Sequence, residues 1–275
     1  MMIKGGIRIG GLGISGFDSD AAAYFERAGV TDATAKGQIN AFVKGIKDLG
    51  LYNNMVSWPL RSAQNSGTGT TAYSLGGLGT FNGTLTNGPT WGADGVIFDG
   101  TNDYIITGVE VSDYPSGVSI LSVFNAQTDT QDFSMFFGDE GDGGSGRHFC
   151  MIRRAGSANQ VTIVTNMTGG SITSTQNITF GQFNQVHARV VAPSNFISVN
   201  STAETSATGS GTFTVTPITE DRIGFGARQK ATTPAFYAKM TASFGALFSS
   251  ASSSSQMQSV KSLYKTTLGQ GLGLP

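Results

Sequence analysis

The chain has 275 residues, 17 basic against 18 acidic side chains for a net charge of -1, and only 13% charged residues alongside 39 glycines. Without a long run of either sign, it lacks the basic patch that a nucleic-acid binder exchanges for condensed counterions, so no nucleic-acid partner is expected. No run of 18 apolar residues spans a membrane, and the single cysteine, Cys150 in Phe149-Cys150-Met151-Ile152, cannot form an internal disulfide and reads as a small buried hydrophobe.

Residues 1–17 form a glycine-rich arm without the continuous apolar stretch of a secretory signal. Gly11-Leu12-Gly13-Ile14-Ser15-Gly16 matches the dinucleotide fingerprint formally, but no strand–turn–helix unit surrounds it and no cofactor is expected. The arm reads instead as a segment that lies extended along a neighbour, with Ile3, Ile7 and Ile9 as assembly contacts. Asp18 or Ser19 caps a short helix through Ala28, which Gly29 stops. Thr31 or Asp32 opens a second, on which Ile39, Phe42, Val43, Ile46 and Leu49 share one stripe. That stripe packs on the rest of the chain or faces a partner; in the second case Phe42 and Ile46 are the assembly contacts.

From Met55 onward the pattern changes to strands. Val56-Ser57-Trp58-Pro59-Leu60 predicts an edge strand, because proline cannot donate to a central ladder. Asn82-Gly83 and Asn87-Gly88 mark turns, and Val96-Ile97-Phe98-Asp99-Gly100-Thr101-Asn102-Asp103-Tyr104-Ile105 reads as two strands joined by a turn. Further strands are predicted over 117–125, 133–138, 147–154, 160–165, 176–181, 185–191, 195–199, 211–216, 221–227 and 235–248. Their close spacing between turn signals argues for a sandwich or jelly roll. Met257, Val260, Leu263, Tyr264 and Leu268 then recur at helical spacing. The organisation is thus a 1–17 arm, an 18–54 two-helix segment, and a 55–275 sandwich ending in a helix.

The Val56–Leu60 segment, the Asn82–Trp91 turns, Phe98-Asp99-Gly100-Thr101-Asn102-Asp103-Tyr104-Ile105, Phe183-Asn184-Gln185-Val186-His187-Ala188 and Asp221-Arg222-Ile223-Gly224-Phe225-Gly226 occur in an order that resembles laminin-G-like, concanavalin A-like jelly rolls. The resemblance covers roughly 55–268 and implies a mainly β, antiparallel sandwich; the fold hosts many functions. Asp20-Ala21-Ala22-Ala23-Tyr24-Phe25-Glu26-Arg27-Ala28 and Leu49-Gly50-Leu51-Tyr52 look like a segment that precedes such jelly rolls in tailed-bacteriophage virion proteins. It implies a non-enzymatic virion structural protein, such as a capsid decoration, fibre or adaptor component, with other virion proteins and further copies of itself as partners.

The alternative is a carbohydrate-binding module that recognises a surface glycan. Trp91, Tyr114, Asp139, Glu140 and Asp142 are its candidate residues, since aromatic rings stack on sugars beside polar loops. A glycoside hydrolase of the same fold comes third. Its family's E-x-D-x-x-E motif is met by Glu140 and Asp142, but Ser145 stands where the acid/base glutamate belongs. The same acidic loop is where Ca²⁺ could be held, although a solvated hairpin tip is the favoured reading. His148 and His187 belong to no zinc spacing and read as sheet-surface residues, so no metal site is expected.

Overall fold

The computed structural model describes residues 16–110, 114, 117–128, 134–139, 149–153, 159–165, 171–209, 222–228 and 234–275. The Asp18 carboxylate accepts from the Asp20 N–H at 3.0 Å and caps α1 (Ser19–Ala28), which Gly29 ends in the left-handed region at φ 65. Asp32 accepts from the Ala35 N–H at 2.7 Å and caps α2 (Ala33–Asp48).

Strands follow as β1 (Met55–Pro59), β2 (Thr71–Ala72), β3 (Gly83–Thr86), β4 (Thr90–Trp91), β5 (Val96–Asp99), β6 (Tyr104–Ile106), β7 (Ser119–Ala126) and β8 (Met135–Asp139). After them come β9 (Phe149–Arg153), β10 (Gln160–Thr165), β11 (Ile172–Asn177), β12 (Asn184–Val191), β13 (Ser194–Val199), β14 (Thr205–Thr208), β15 (Gly224–Phe225), β16 (Lys239–Phe248) and the helix α3 (Ser254–Thr266). Ser253 opens α3 through a capping box with Gln256.

All the pairings are antiparallel and make two sheets. The first runs β14-β13-β12-β7-β16-β5-β4, with β1 also paired to β16; the second runs β11-β10-β9-β8-β15-β6-β3-β2. β16 is long enough to serve two neighbours on one side. Lys239–Ala242 pair with β5, and Phe244–Phe248 pair with β1. β1 is accordingly buried throughout, and Pro59 falls at its last position, where the ladder ends.

The inner faces of the two sheets share one apolar core. Trp58 of β1 meets Phe137 of β8 and Phe225 of β15 with ring centroids 6.1 and 6.0 Å away, and Phe137 and Phe225 lie 4.6 Å apart. The Trp58 indole N–H donates to the Phe81 carbonyl at 2.7 Å, so its one polar atom is satisfied. Opposite Trp58 stands Gly245; a Cβ there would press into the Phe225 and Phe137 rings, so the close approach of the sheets requires glycine.

A third layer covers the first sheet's outer face. Leu121, Val123, Phe244, Ala246 and Phe248 pack there against Tyr24, Phe25, Ile39, Phe42 and Ile46 of α1 and α2, and against Met257, Val260 and Tyr264 of α3. Phe42 and Ile46 are therefore not assembly contacts. Both are fully buried in the chain's own core, and the Phe42 ring sits edge-on to Phe244 at 5.6 Å. Ile3, Ile7 and Ile9 lie outside the described residues.

Two strands, β11 and β14, differ in position from the sequence reading. The Phe98–Ile105 segment is two strands joined by a turn, as the sequence reads; β5 joins the first sheet and β6 the second, so the turn carries the chain across the sandwich. Asp99 accepts from the Thr101 N–H at 2.7 Å, and Asp103 accepts from the Asp99 N–H at 3.1 Å, so both acids hold that crossover. β11 ends where the predicted 176–181 strand was to begin, and Ile178 is a core residue beyond its end. The 211–216 prediction lies outside the described residues, while β14 was not foreseen.

Replacing Phe42 by Ala should lower stability by about 3–5 kcal/mol, the scale for emptying a buried aromatic site. Urea denaturation followed by tryptophan fluorescence should show one transition at a lower midpoint. An unmoved sandwich transition would mean that the helices unfold independently.

Candidate functional site

Along the first sheet's outer face the side chains change character towards β12 and β13. β7 and β16 present Leu121, Val123, Phe244 and Ala246 to the helices, whereas β12 presents Gln185, His187 and Arg189, and β13 presents Phe196 and Ser198. β-Strand alternation puts these residues on one side, with Val186, Ala188, Val190 and Ile197 in the sandwich core behind them. α3 lies across this boundary and brings Lys261 down beside Met257 and Tyr264 on its buried face.

Glu204, just before β14, organises the group. Arg189 donates to both of its carboxylate oxygens, Nε to Oε1 at 2.9 Å and Nη2 to Oε2 at 2.7 Å, and His187 Nε2 lies 2.8 Å from Oε1. Arg189 also stacks over the Phe196 ring, 3.7 Å from its centroid. Burial would raise the Glu204 pKa, but the bonds from Arg189 and His187 overcome this and hold it at about 2. Burial keeps the His187 pKa below its ordinary value, against the pull of Glu204, so the ring is neutral and donates from Nε2. Its Nδ1 makes no hydrogen bond among the described residues.

Lys261 is 6% exposed, and its ammonium donates to the Ser201 carbonyl at 2.7 Å and to Ser198 Oγ at 3.5 Å. Burial pushes its pKa down to about 8, opposed by the charge of Glu204. The lysine lines a cleft of about 520 Å³ between the β12–β13 end and α3, together with Gln185, Asn200, Ser201, Thr202, Gln258, Ser259, Ser262, Lys265 and Pro275. That size is within the ordinary range for small-molecule sites. Gln185 Nε2 donates to the Lys261 carbonyl at 3.2 Å and Gln258 Nε2 to the Thr202 carbonyl at 2.9 Å, so backbone bonds fix both amides. Among the described residues no Asp or Glu side chain lines the cleft.

The residues expected to bind sugar lie elsewhere. Trp91 is in β4, at the opposite edge of the first sheet from β12–β13; its ring packs on the sandwich core and its N–H donates to the Gly69 carbonyl at 3.0 Å. Tyr114 also packs against that core. Neither ring stands free as a stacking platform, which corrects the expectation. Asp139 pairs through its backbone with Phe149 in the second sheet, and Glu140 and Asp142 lie outside the described residues. His187 does occupy an outward strand position, but α3 and Glu204 bury it completely, so it is no surface residue. Among the described residues no group of three or more His, Cys, Asp or Glu side chains could hold a metal ion. No described helix is long and apolar enough to cross a membrane.

No family model matches the chain, and no curated protein matches it in sequence. Solved structures share its fold. A mutant of Trypanosoma rangeli sialidase displaying trans-sialidase activity matches with a TM-score of 0.58 and 11% identity, over 84% of this chain and 39% of that one. The Trypanosoma rangeli sialidase in complex with sialic acid gives a TM-score of 0.55 and 12% identity over 85% and 40%. The botulinum neurotoxin serotype D binding domain gives 0.55 and 8% over 78% and 52%. The chain thus spans about two-fifths of the length of the sialidases. These matches place it among jelly-roll, concanavalin-like β-sandwiches. They overturn the expectation of a bacteriophage virion structural protein, because the fold leads to sialidases and a toxin binding domain and to no phage protein among these matches.

With a folded-state pKa of about 2 against an ordinary 4.5, Glu204 adds stability at pH values above 4.5 that is lost as pH falls towards 2. The loss should be on the order of 2–3 kcal/mol. Urea midpoints between pH 2 and 6 should show this fall in the wild type and a much flatter profile in Glu204→Gln; equal profiles would exclude Glu204 as its source.

Proposed function

We propose that the chain is a non-catalytic, lectin-like glycan-binding module, and that its ligand sits in the cleft between the β12–β13 end and α3. The observation that carries this reading is the cleft's lining: amide, hydroxyl and ammonium groups set in a largely apolar surface, several of them fixed by backbone bonds, and no carboxylate pair among the described residues. Sugars are recognised by such fixed donors and acceptors, which match ring hydroxyls without reorganising.

A retaining glycosidase needs two carboxyl groups about 5–5.5 Å apart, one of them protonated at working pH. Glu204 is the carboxylate nearest the cleft's lysine in this network, and at a pKa of about 2 it cannot donate a proton at neutral pH. The fold is shared with sialidases, one of them solved with sialic acid bound, and with a toxin binding domain. At 8–12% identity that likeness concerns architecture, and the ligand class rests on the side chains of this cleft.

A glycan array probed with the full chain should give a restricted set of binders. Gln258→Ala should weaken them by roughly five- to tenfold, the scale of one hydrogen bond, with the thermal transition unchanged. Incubation of the bound glycans should release no monosaccharide. An empty array would exclude glycan binding, and measurable release would make the protein a hydrolase.

A further inference from the structure

The network beneath the cleft leaves one positive charge in excess. Arg189 and Glu204 neutralise each other, and His187 is neutral. Lys261 has no carboxylate within ion-pair distance among the described residues; its ammonium donates to a carbonyl and a hydroxyl, two bonds for three N–H donors. A buried cation without a counter-ion is costly, and the side of Lys261 that lines the cleft is where a counter-ion can reach it. Lys265, one helical turn further along α3, lines the same cleft and donates to the Pro275 carbonyl at 2.7 Å. Two lysines and, among the described residues, no acidic side chain therefore line one volume, and the Lys265 ammonium is already held by the Pro275 oxygen.

Resting on the glycan-binding reading, we infer that the cleft selects acidic sugars, seating a carboxylate against the Lys261 ammonium while Gln185, Thr202 and Gln258 meet the ring hydroxyls. A neutral sugar could offer the third donor of the buried ammonium a hydroxyl oxygen but no compensating charge. A carboxylate supplies both the charge and the acceptor, in a charge-assisted bond stronger than a neutral one.

The position of Lys261 gives this selectivity a pH signature. The charged or titratable groups facing it are Glu204 beside β14, His187 and Arg189 on β12, and Lys265 on α3. Glu204 stays ionised and His187 stays neutral above pH 7. The ammonium of Lys261, by contrast, is lost as pH rises through about 8. Preference for an acidic sugar should fall over the same interval.

The test is calorimetric titration of the full chain at pH 6.5 with methyl glycosides of glucuronate, galacturonate and N-acetylneuraminate. Those of glucose and galactose serve as neutral counterparts, and inorganic phosphate as an anion without a sugar. At least one acidic glycoside should bind roughly tenfold tighter than its neutral counterpart, the scale of one charge-assisted bond. Lys261→Met should abolish that preference. Should that variant fail to fold, a loss of preference in the wild type between pH 7 and 9 carries the same information. Equal binding of acidic and neutral glycosides would overturn this inference and leave the glycan-binding reading standing. Binding of none of the sugars overturns both. Phosphate binding as tight as the best acidic glycoside would show a bare anion site and overturn the selection of a sugar.

Discussion

The molecule depends on one constraint: the first sheet is the middle of three layers, so its central strands must be apolar on both faces. β7 and β16 meet it with Ile120 and Phe124 turned to the second sheet and Leu121 and Val123 to the helices, and likewise Leu247 inward and Phe244 outward. Such strands lose the alternation of a half-solvated sheet and become nearly continuous apolar runs. Tight packing follows on each side. Gly245 lets the aromatic cluster close between the sheets, and Gly45 of α2 lets Leu263 of α3 come close on the helical side.

The helical layer does not extend its apolar contacts over β12 and β13, and the polar cluster arises at that boundary. Glu204 lets two basic side chains remain in a region that apolar packing would otherwise claim. An ion pair held by a bidentate arginine can sit there because Oε1 also accepts from His187. Lys261 is different in kind. Helical geometry directs it inward beside Met257 and Tyr264, its head bonds Ser198 and Ser201, and the residue lines the cleft. The cleft is thus a product of where the apolar layer ends.

Much of the architecture is legible in the sequence because its signals are local. The caps at Asp18, Asp32 and Ser253 act within three residues, and the apolar stripes of α2 and α3 repeat at helical spacing. Strands rich in Ser and Thr are harder: β11 shifted because Ile178 and Phe180 attract attention to core residues beyond its end, and β14 has no large apolar residue. The Asp99–Asp103 turn is legible as a turn, yet nothing local says that its two strands enter different sheets. The site is less legible still. His187 reads correctly as outward on its strand, but the helix that buries it comes from far along the chain. Lys261 carried one usable signal, a position four residues after Met257 on the helix's buried side.

The pairing of β1 with β16 has a consequence for how the chain acquires its structure. Met55 lies opposite Phe248, so the first sheet cannot close until nearly all of the sandwich has emerged from the ribosome. Until then β7 lacks its neighbour β16 and exposes apolar side chains on both faces, a period in which aggregation competes with folding. α3 docks only after β16 is in place, and it supplies one wall of the cleft. The cleft is therefore among the last features of this fold to form, and it belongs to finished molecules alone.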